Sequence, residues 1–245
     1  NLILNQKGVL EMITSNIDYY DIENYYVDNK QYCLNFFERA TKNGKKAVFA
    51  KYGRKKGTLI LGKVKDEFEN LLPEVPYVGK IDIMQRQMLL TVIFTAFYRV
   101  LKETEKIADI WILCNDFNKE TLMSMPRFVR WLIKKSTFGK RMKNSFIKMA
   151  KEQKAKNLAD QWDYVEGRDK NFDYGINITK CAKLLFLQKL GYKEFLPYVC
   201  LVDKNFAECC KYGFKRTKTL AEGADCCDFR ISKDGTVDVK TSVEL

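Results

Sequence analysis

Apolar residues recur every three or four positions through much of the first half of the chain, the spacing that buries one face of an α-helix. Between residues 59 and 72 this pattern predicts a helix, and the proline at position 73 ends it because proline cannot continue a helix. The preceding basic stretch, KYGRKKG at residues 51–57, is typical of a turn. The apolar positions of the predicted helix are Leu61, Val64, Phe68 and Leu71.

A second helix, predicted over residues 83–103, is apolar on nearly every face. Its core, MLLTVIFTAFY at residues 88–98, is too short to span a bilayer, which needs about 20 residues. We therefore predict a buried helix at the centre of the fold and no membrane span, with Asp82 as the helix cap. Further helices are predicted over residues 106–124 and after Pro126, with Gly139 as a candidate break in the latter.

The pattern changes to short apolar stretches separated by turn residues in the last third of the chain. Helices first and strands last predict an α+β fold, with an N-terminal helical part packed against a small C-terminal antiparallel sheet. We predict a helical or irregular extension over residues 1–60 and one α+β domain over residues 61–245. The later elements are a helix over 177–190, a strand over 198–202, a helix over 204–212 capped by Asp203, strands over 214–220 and 227–232, and a hairpin turn at 234–235.

The net charge of +12 is concentrated in one segment, since residues 127–156 hold eleven lysines and arginines but one acid. Such a segment could contact nucleic acid or anionic lipid. Its apolar residues, however, form one stripe and do not interleave with the charge, which favours a solvated helix with a packed underside. We therefore do not expect a nucleic-acid partner, whereas an oligomer stays open. The stripe consists of Trp131, Phe138, Met142, Phe146 and Met149.

The chain has eight cysteines and no histidine. In a chain of 245 residues with no visible export signal, reduced thiols and a cytoplasmic location are expected. The absence of histidine removes the commonest general base near neutral pH and the commonest nitrogen ligand of zinc. Any catalysis must therefore use Cys, Asp, Glu, Tyr, Lys or Arg, and any metal must be held by sulfur and oxygen.

Three cysteines and a carboxylate near the C-terminus form the candidate site. Cys181, Cys200 and Cys227, with Asp203, could converge on a metal, because thiolates suit zinc or an iron–sulfur cluster. Their spacing lacks the CxxC pattern, and free cysteine is often simply a small buried residue. Burial without a site is therefore an open alternative, as is a helix-capping role for Asp203.

A catalytic thiol is the second interpretation of the same segment. Cys227 could act as nucleophile, with Asp228 as an acid or base, although neighbouring strand residues point to opposite faces and Asp228 shares its face with Arg230. Arg216 and Arg230 could hold a substrate carboxylate through their forked guanidinium groups. Surface salt bridges are the competing interpretation for both arginines.

Three blocks of the sequence together span residues 65–231. They are LLPEVPYVG at 71–79 with YRVL at 98–101; FDYG at 172–175 with Cys181 and GYKEFLPYVCLVD at 191–203; and RTKTLAEG at 216–223 with CDFR at 227–230. These blocks are similar to the L-2-amino-thiazoline-4-carboxylic acid hydrolase family. The middle and closing blocks are the more specific ones, whereas the first is mostly structural.

The resemblance implies a hydrolase that acts on a non-peptide C–N bond of the cyclic amidine type and opens a C–N/C–S heterocycle of a small anionic, cysteine-related substrate. The nucleophile for such ring opening could be a metal-bound water or a thiolate. We predict Cys227, Asp228 and Asp203 as catalytic residues, with Arg216 and Arg230 for the substrate. Cys181, Cys200, Cys227 and Asp203 would hold any divalent metal, manganese or zinc. Two alternatives stay open: a three-cysteine metal or iron–sulfur enzyme of sulfur metabolism, and a non-catalytic module that binds a small molecule.

Overall fold

The computed structural model describes residues 24–80, 82–167 and 171–243. Three short 3₁₀ turns lie at Leu72–Glu74, Lys193–Phe195 and Leu220–Glu222. The α-helices are α1 (Tyr25–Asp28), α2 (Lys30–Leu71), α3 (Asp82–Leu101), α4 (Ile107–Met123), α5 (Arg127–Thr137), α6 (Lys140–Ala155), α7 (Ala182–Lys189), α8 (Leu196–Val199) and α9 (Val202–Cys210). The strands are β1 (Gln161–Glu166), β2 (Tyr174–Lys180), β3 (Gly213–Arg216), β4 (Cys227–Ser232) and β5 (Val237–Val239).

The helices α2, α3 and α4 form the main hydrophobic core, and α3 is its central element. Residues on nearly every face of α3 are buried, as its apolar sequence predicts. Its Phe94 packs edge-on against Trp111 of α4, and its Phe97 packs in the same way against Phe117. The predicted α+β fold and the predicted central helix are therefore confirmed. Among the described residues, no helix combines the length and apolar character needed to cross a membrane.

The long helix α2 corrects the predicted turn at residues 51–57. Only Gly53 leaves the helical conformation there, with φ 72° and ψ 165°, which a glycine adopts without steric cost. The chain then resumes the helix, so the basic stretch is a kink instead of a turn. The predicted domain boundary at residue 60 falls inside α2, where Val48 and Val64 belong to the same core.

Close packing between α2 and α4 depends on Gly44. A Cβ atom at this position would lie 2.5 Å from Cδ2 of Phe117, far inside van der Waals contact. We expect Gly44→Ala to lower the free energy of unfolding by about 1–3 kcal/mol because the helices must move apart. A Cβ atom at Gly62, in the same helix, would have no other atom within 4 Å. Gly62→Ala should stabilise the protein by about 0.5–1 kcal/mol, since alanine has the higher helix propensity. Denaturant unfolding of both variants tests the contrast, and equal effects would contradict this packing.

The five strands form one sheet in the order β1-β2-β4-β3-β5. All neighbouring pairs are antiparallel except β3 and β5, which are parallel. The prediction of a small C-terminal sheet is confirmed, but the sheet is mixed. The predicted hairpin at residues 234–235 is wrong, because β5 crosses over to pair with β3 and not with β4.

The two faces of the sheet have different environments, because successive residues of a strand point to opposite faces. On the inner face, Ile176 and Ile178 of β2 pack with Trp162 of β1 and Met149 of α6. Cys227 lies opposite Ile178 in the β2–β4 register and shares this inner face. The outer face carries Asn177, Asp228 and Arg230, of which Asn177 and Asp228 are direct cross-strand partners.

Several predicted elements in the second half have different limits or a different type. Residues 174–180 form strand β2, so the predicted helix over 177–190 begins only at Ala182. The β-branched Ile176 and Ile178 alternate on one face, which suits a strand. The predicted strand over 198–202 is helical instead, because Pro197 is accepted in the first turn of α8.

Two predicted helix caps also prove to be wrong. Asp82 is the first residue of α3, where its carboxylate accepts a hydrogen bond from Tyr32 and pairs with Arg86. Asp203 lies within the first turn of α9, which begins at Val202 after Leu201. Its carboxylate is therefore available for contacts with other elements.

Candidate functional site

The three cysteines of the predicted site lie in different elements of the structure. Cys181 precedes α7, Cys200 lies in the turn between α8 and α9, and Cys227 is the first residue of β4. Burial, with smaller contributions from Asp203 and Cys227, raises the pKa of Cys200 to about 12 against the opposing effects of Lys183 and Arg216. Burial also raises the pKa of Cys181, with added contributions from Asp160 and Cys200. Cys200 influences the titration of Cys181, and Cys227 influences that of Cys200, so each pair lies within electrostatic range. The convergence of the three thiols on one site stays a prediction, and the elements that carry Cys181 and Cys200 differ from those predicted.

Asp203 lies between two cations at the centre of this group. Its Oδ2 is 3.3 Å from a terminal nitrogen of Arg216, and its Oδ1 is 3.5 Å from Nζ of Lys183. The side chains of Lys183 and Asp203 are 17% and 18% exposed, so solvent reaches the group from their side. Sequence analysis missed Lys183, because nothing in its local pattern separates it from the many other lysines.

Arg216 is the most deeply buried charged residue of the group, at 2% exposure. Successive residues of β3 point to opposite faces, and Lys215 is exposed. Its neighbours Phe214 and Arg216 therefore both point to the inner face. One terminal nitrogen donates to the carbonyl oxygen of Cys200 as well as contacting Asp203. Its Nε is buried and has no hydrogen-bond partner within the described part of the chain. Arg216 therefore holds the turn that contains Cys200, and its Nε–H group is left as a free hydrogen-bond donor.

Cys227 is 6% exposed and faces the same interior. Its sulfur accepts a hydrogen bond from the backbone N–H of Leu220, at 3.3 Å. Burial raises the pKa of Cys227, and the Leu220 N–H opposes this shift. Asp203 adds to the raised pKa, while Arg216 and Lys183 lower it. Burial and Asp203 together outweigh the Leu220 N–H, Arg216 and Lys183, so the pKa of the Cys227 thiol is raised on balance.

Asp228 points to the outer face, away from Cys227, and has a full set of partners. Its Oδ1 accepts the backbone N–H groups of Thr217 and Lys218, each at 2.8 Å, and its Oδ2 accepts the hydroxyl of Thr217. Burial acts to raise the pKa of Asp228, but the hydrogen bonds outweigh it and the pKa is lowered. These bonds hold the segment that carries Leu220, so Asp228 is placed to position the donor to Cys227.

The carboxylate of Asp228 should make the stability of the protein pH-dependent. Because its folded pKa lies below the usual 3.8, its contribution is present above that value and is lost as the pH falls through the folded pKa. We expect Asp228→Asn to cost about 1.5–3 kcal/mol at pH 7, the value typical of hydrogen bonds to a charged group. Urea unfolding of both proteins should show this difference shrinking below about pH 4. A constant difference down to pH 3 would contradict the assignment.

Arg230 also lies on the outer face of the sheet. A terminal nitrogen donates to Oδ1 of Asn177 at 2.9 Å, and the guanidinium lies 5.4 Å from the ring centre of Phe172. The sheet thus separates Arg230 and Asp228 from the three cysteines. The predicted site residues form two groups: Cys181, Cys200, Cys227, Asp203 and Arg216 inside, and Asp228 and Arg230 outside.

Asp160 is a second residue of the inner group that sequence analysis missed. Its Oδ1 accepts the backbone N–H of Ala182 at 2.7 Å, so it holds the beginning of α7 directly beside Cys181. Burial raises the pKa of Asp160, while the Ala182 N–H and the Lys183 ammonium lower it. Asp160 follows α6 in a stretch without a recognisable motif, and only the tertiary fold brings it to Cys181.

The described residues can be compared with the predicted set of metal ligands. Among the residues that the structure describes, no group of three or more Cys, Asp or Glu side chains could hold a metal ion. The carboxylate of Asp203 is instead engaged by Lys183 and Arg216. The set of Cys181, Cys200, Cys227 and Asp203 as metal ligands stays a prediction, as does any manganese, zinc or iron–sulfur cofactor.

The inner group lies within a segment that matches a known family. Residues 86–231 match the model of the family described as L-2-amino-thiazoline-4-carboxylic acid hydrolase, and this segment includes all three cysteines, Asp160, Lys183, Asp203 and Arg216. No curated protein and no solved structure matches the chain. Because the match covers more than half of the 245 residues, this chain belongs to the L-2-amino-thiazoline-4-carboxylic acid hydrolase family.

Proposed function

We propose that the inner group is the active site of a hydrolase that opens a small anionic heterocycle of the 2-aminothiazoline type. Family membership indicates a hydrolase with a small-molecule substrate. The observation that carries the proposal is the position of Asp203 between Lys183 and Arg216, beside Cys200 and Cys227. Addition of water to an amidine carbon is accelerated by a nucleophile, a base and groups that stabilise developing charge, and this group supplies a candidate for each.

In the first step, the thiolate of Cys227 attacks the carbon between the ring nitrogen and the ring sulfur. The electron pair of the C=N bond moves to the ring nitrogen, which takes up the proton that the Cys227 thiol releases, and the carbon becomes tetrahedral. The lone pair of the exocyclic amino nitrogen then forms a C=N bond as the bond to the ring sulfur breaks, and this nitrogen loses a proton. The opened substrate stays attached to Cys227 as an S-linked isothiourea, and its new thiol accepts a proton. The Leu220 N–H and the two cations stabilise the attacking thiolate.

In the second step, water adds to the isothiourea carbon. The carboxylate of Asp203 accepts a proton from this water, since it lies at the more exposed side of the group. Asp203 passes this proton to the imine nitrogen, the hydroxyl of the tetrahedral carbon becomes a carbonyl, and the bond to Cys227 breaks. The departing sulfur takes up the hydroxyl proton. The product is an N-carbamoyl-cysteine, so the overall reaction consumes one water and regenerates the enzyme.

The substrate carboxylate is assigned to Arg216 and Lys183. The unpartnered Nε of Arg216 is a buried donor within this group, and the Lys183 ammonium is at its open side. Arg230, which the sequence also suggested, lies on the opposite face of the sheet with Asn177 and Phe172. Asp228 acts in this account by positioning the segment with Leu220, and not as an acid or base.

The proposal is tested by incubating the full chain with L-2-amino-thiazoline-4-carboxylate and following the appearance of free thiol. 2-Amino-2-thiazoline, which lacks the carboxylate, is the matched comparison compound. We expect thiol release from the carboxylate and a value of kcat/KM for the comparison compound at least about 100-fold lower, because loss of a buried ion pair of this kind costs about 3 kcal/mol. No thiol release from either compound would contradict the proposed substrate class. Equal rates would contradict the assigned role of Arg216 and Lys183.

A further inference from the structure

Helix α5 presents an apolar surface that the described part of the chain leaves uncovered. None of its residues is buried, and Phe128, Trp131 and Leu132 are 65%, 53% and 38% exposed. The rings of Phe128 and Trp131 stack on each other with centroids 6.0 Å apart. The predicted packed underside is therefore wrong at Trp131, although Phe138, Phe146 and Met149 do pack against the sheet. The helix breaks at Gly139, so α5 and α6 present different faces to the core.

The exposed face of α5 is strongly basic as well as apolar. Arg127 and Lys135 are exposed beside the aromatic pair, and the Lys135 ammonium lies 5.2 Å from the ring centre of Trp131. Exposed Lys140 and Arg141 follow at the beginning of α6. Residues 126–151 contain no Asp or Glu, and these four cations form no ion pair with any described residue.

The other side of α5 is fixed to the body of the protein. Arg130 donates to the carbonyl oxygen of Cys209 at 3.5 Å, and Lys134 pairs with Asp234 at 3.2 Å. The basic residues on this side of α5 therefore bind other groups of the same chain. The outward position of Phe128, Trp131 and Leu132 is therefore set by the way in which α5 is held on α9 and on the turn after β4.

We propose that α5 docks this protein on an anionic lipid surface, with Phe128, Trp131 and Leu132 inserted at the level of the headgroups. Aromatic and leucine side chains on one face of a helix, bordered by lysine and arginine, are typical of helices that lie in the membrane interface. Trp and Phe bury apolar area there, while the four unpaired cations are attracted by the negative surface potential. Proteins that bind single-stranded nucleic acid combine a positively charged groove with aromatic side chains on which the bases stack. The apolar residues of α5 instead form one compact patch that projects from the surface.

The test is sedimentation of the full chain with vesicles of pure phosphatidylcholine and with vesicles containing 30% phosphatidylserine. We expect binding to the anionic vesicles only, and at least tenfold weaker binding at 500 mM than at 50 mM NaCl, because salt screens the attraction. The double variant Phe128→Ser/Trp131→Ser should reduce partitioning at least tenfold. Leu59→Ser is the matched control, since Leu59 is 64% exposed on α2 and should leave binding unchanged.

Four results would overturn the inference. They are the absence of vesicle binding, equal binding to both vesicle types, equal loss of binding in the Leu59→Ser control, and an apolar patch that is covered by a second copy. The last is recognised by analytical ultracentrifugation, as a dimer that the double variant converts to a monomer. Circular dichroism and thermal unfolding verify that the variants are folded, which is expected because the substituted residues are exposed. The readout does not use catalytic activity, so it is independent of the proposed function.

Discussion

Cys227→Ser is expected to lower turnover of the aminothiazoline carboxylate by at least about a thousandfold, because serine lacks the nucleophilicity of a thiolate and its proton is far harder to remove. The substitution keeps the size of the side chain and its place on the inner face of β4. The backbone N–H of Leu220 can still donate to the new oxygen. The fold should therefore persist, and the loss should appear in kcat. Steady-state kinetics with circular dichroism of the variant test this directly.

The adjacent Cys226→Ser is the matched control for this substitution. Cys226 is also buried, at 7% exposure, but it precedes β4 and so shares its side of the strand with Asp228 and not with Cys227. We expect its kcat to stay within about threefold of the wild-type value, as is usual for a change away from the reacting groups. Equal loss in both variants would show that the effect comes from disturbed packing and would contradict the role of Cys227.

The pH profile gives the Cys227 assignment a second readout. Burial raises the pKa of this thiol, so the thiolate is scarce at neutral pH and becomes more abundant as the pH rises. The value of kcat/KM should accordingly increase from pH 7 to pH 9 in the wild type. A rate that falls over this range would contradict a thiolate nucleophile.

Arg216→Met is expected to cause the largest loss of stability among the site variants. The guanidinium is 2% exposed and holds both the Asp203 carboxylate and the carbonyl of Cys200. Methionine fills much of the volume but leaves these two oxygens without their donor. We expect a cost of about 3 kcal/mol, typical of one partner removed from a buried ion pair. For a chain of this size, that cost corresponds to a fall in Tm of roughly 6–12 °C. Thermal unfolding measures the change.

Arg230→Met is the control for Arg216→Met. Arg230 stands on the neighbouring strand but on the outer face, where it is partly exposed and bonds to Asn177. Its replacement should cost no more than about 1.5 kcal/mol, the range of a single net hydrogen bond. The double variant Arg216→Met/Asp203→Asn should be less unstable than the sum of its single variants, since both remove the same ion pair. Additive effects would show that the two side chains are not coupled.

The helices α3 and α4 were predictable because their apolar spacing is long and regular, whereas α2 was predicted only from residue 59 onward. The limits of α3 and α4 follow directly from that periodicity, and the break at Gly139 follows from its composition. The segment over 174–180 was not predictable in the same way, because the apolar positions after Cys181 also fit a helix that begins earlier. The pairing of β2 with β1 and β4 decides its conformation, and this pairing is a long-range effect that local spacing does not contain.

The candidate site was predictable to the extent that its chemistry is concentrated in motifs. Cys181, Cys200, Cys227, Asp203 and Arg216 lie in or beside the blocks that resemble the family. The structure pairs Asp203 with Arg216 and places Cys200 and Cys227 within electrostatic range of both. Strand alternation already placed Asp228 and Arg230 on the face opposite Cys227. Lys183 and Asp160 could not be singled out, because one is a lysine among many and the other reaches Cys181 only through the packing of α6 and β1 against α7.

Mass spectrometry of the intact enzyme, quenched in acid during turnover of L-2-amino-thiazoline-4-carboxylate, tests the central claim most directly. The account predicts a species heavier than the free enzyme by one whole substrate, since ring opening leaves every substrate atom attached. Peptide mapping should place this addition on Cys227, and the Cys227→Ser enzyme should not form it. Product formation with no adduct at any time, or an adduct on another cysteine, would contradict Cys227 as the nucleophile of this site.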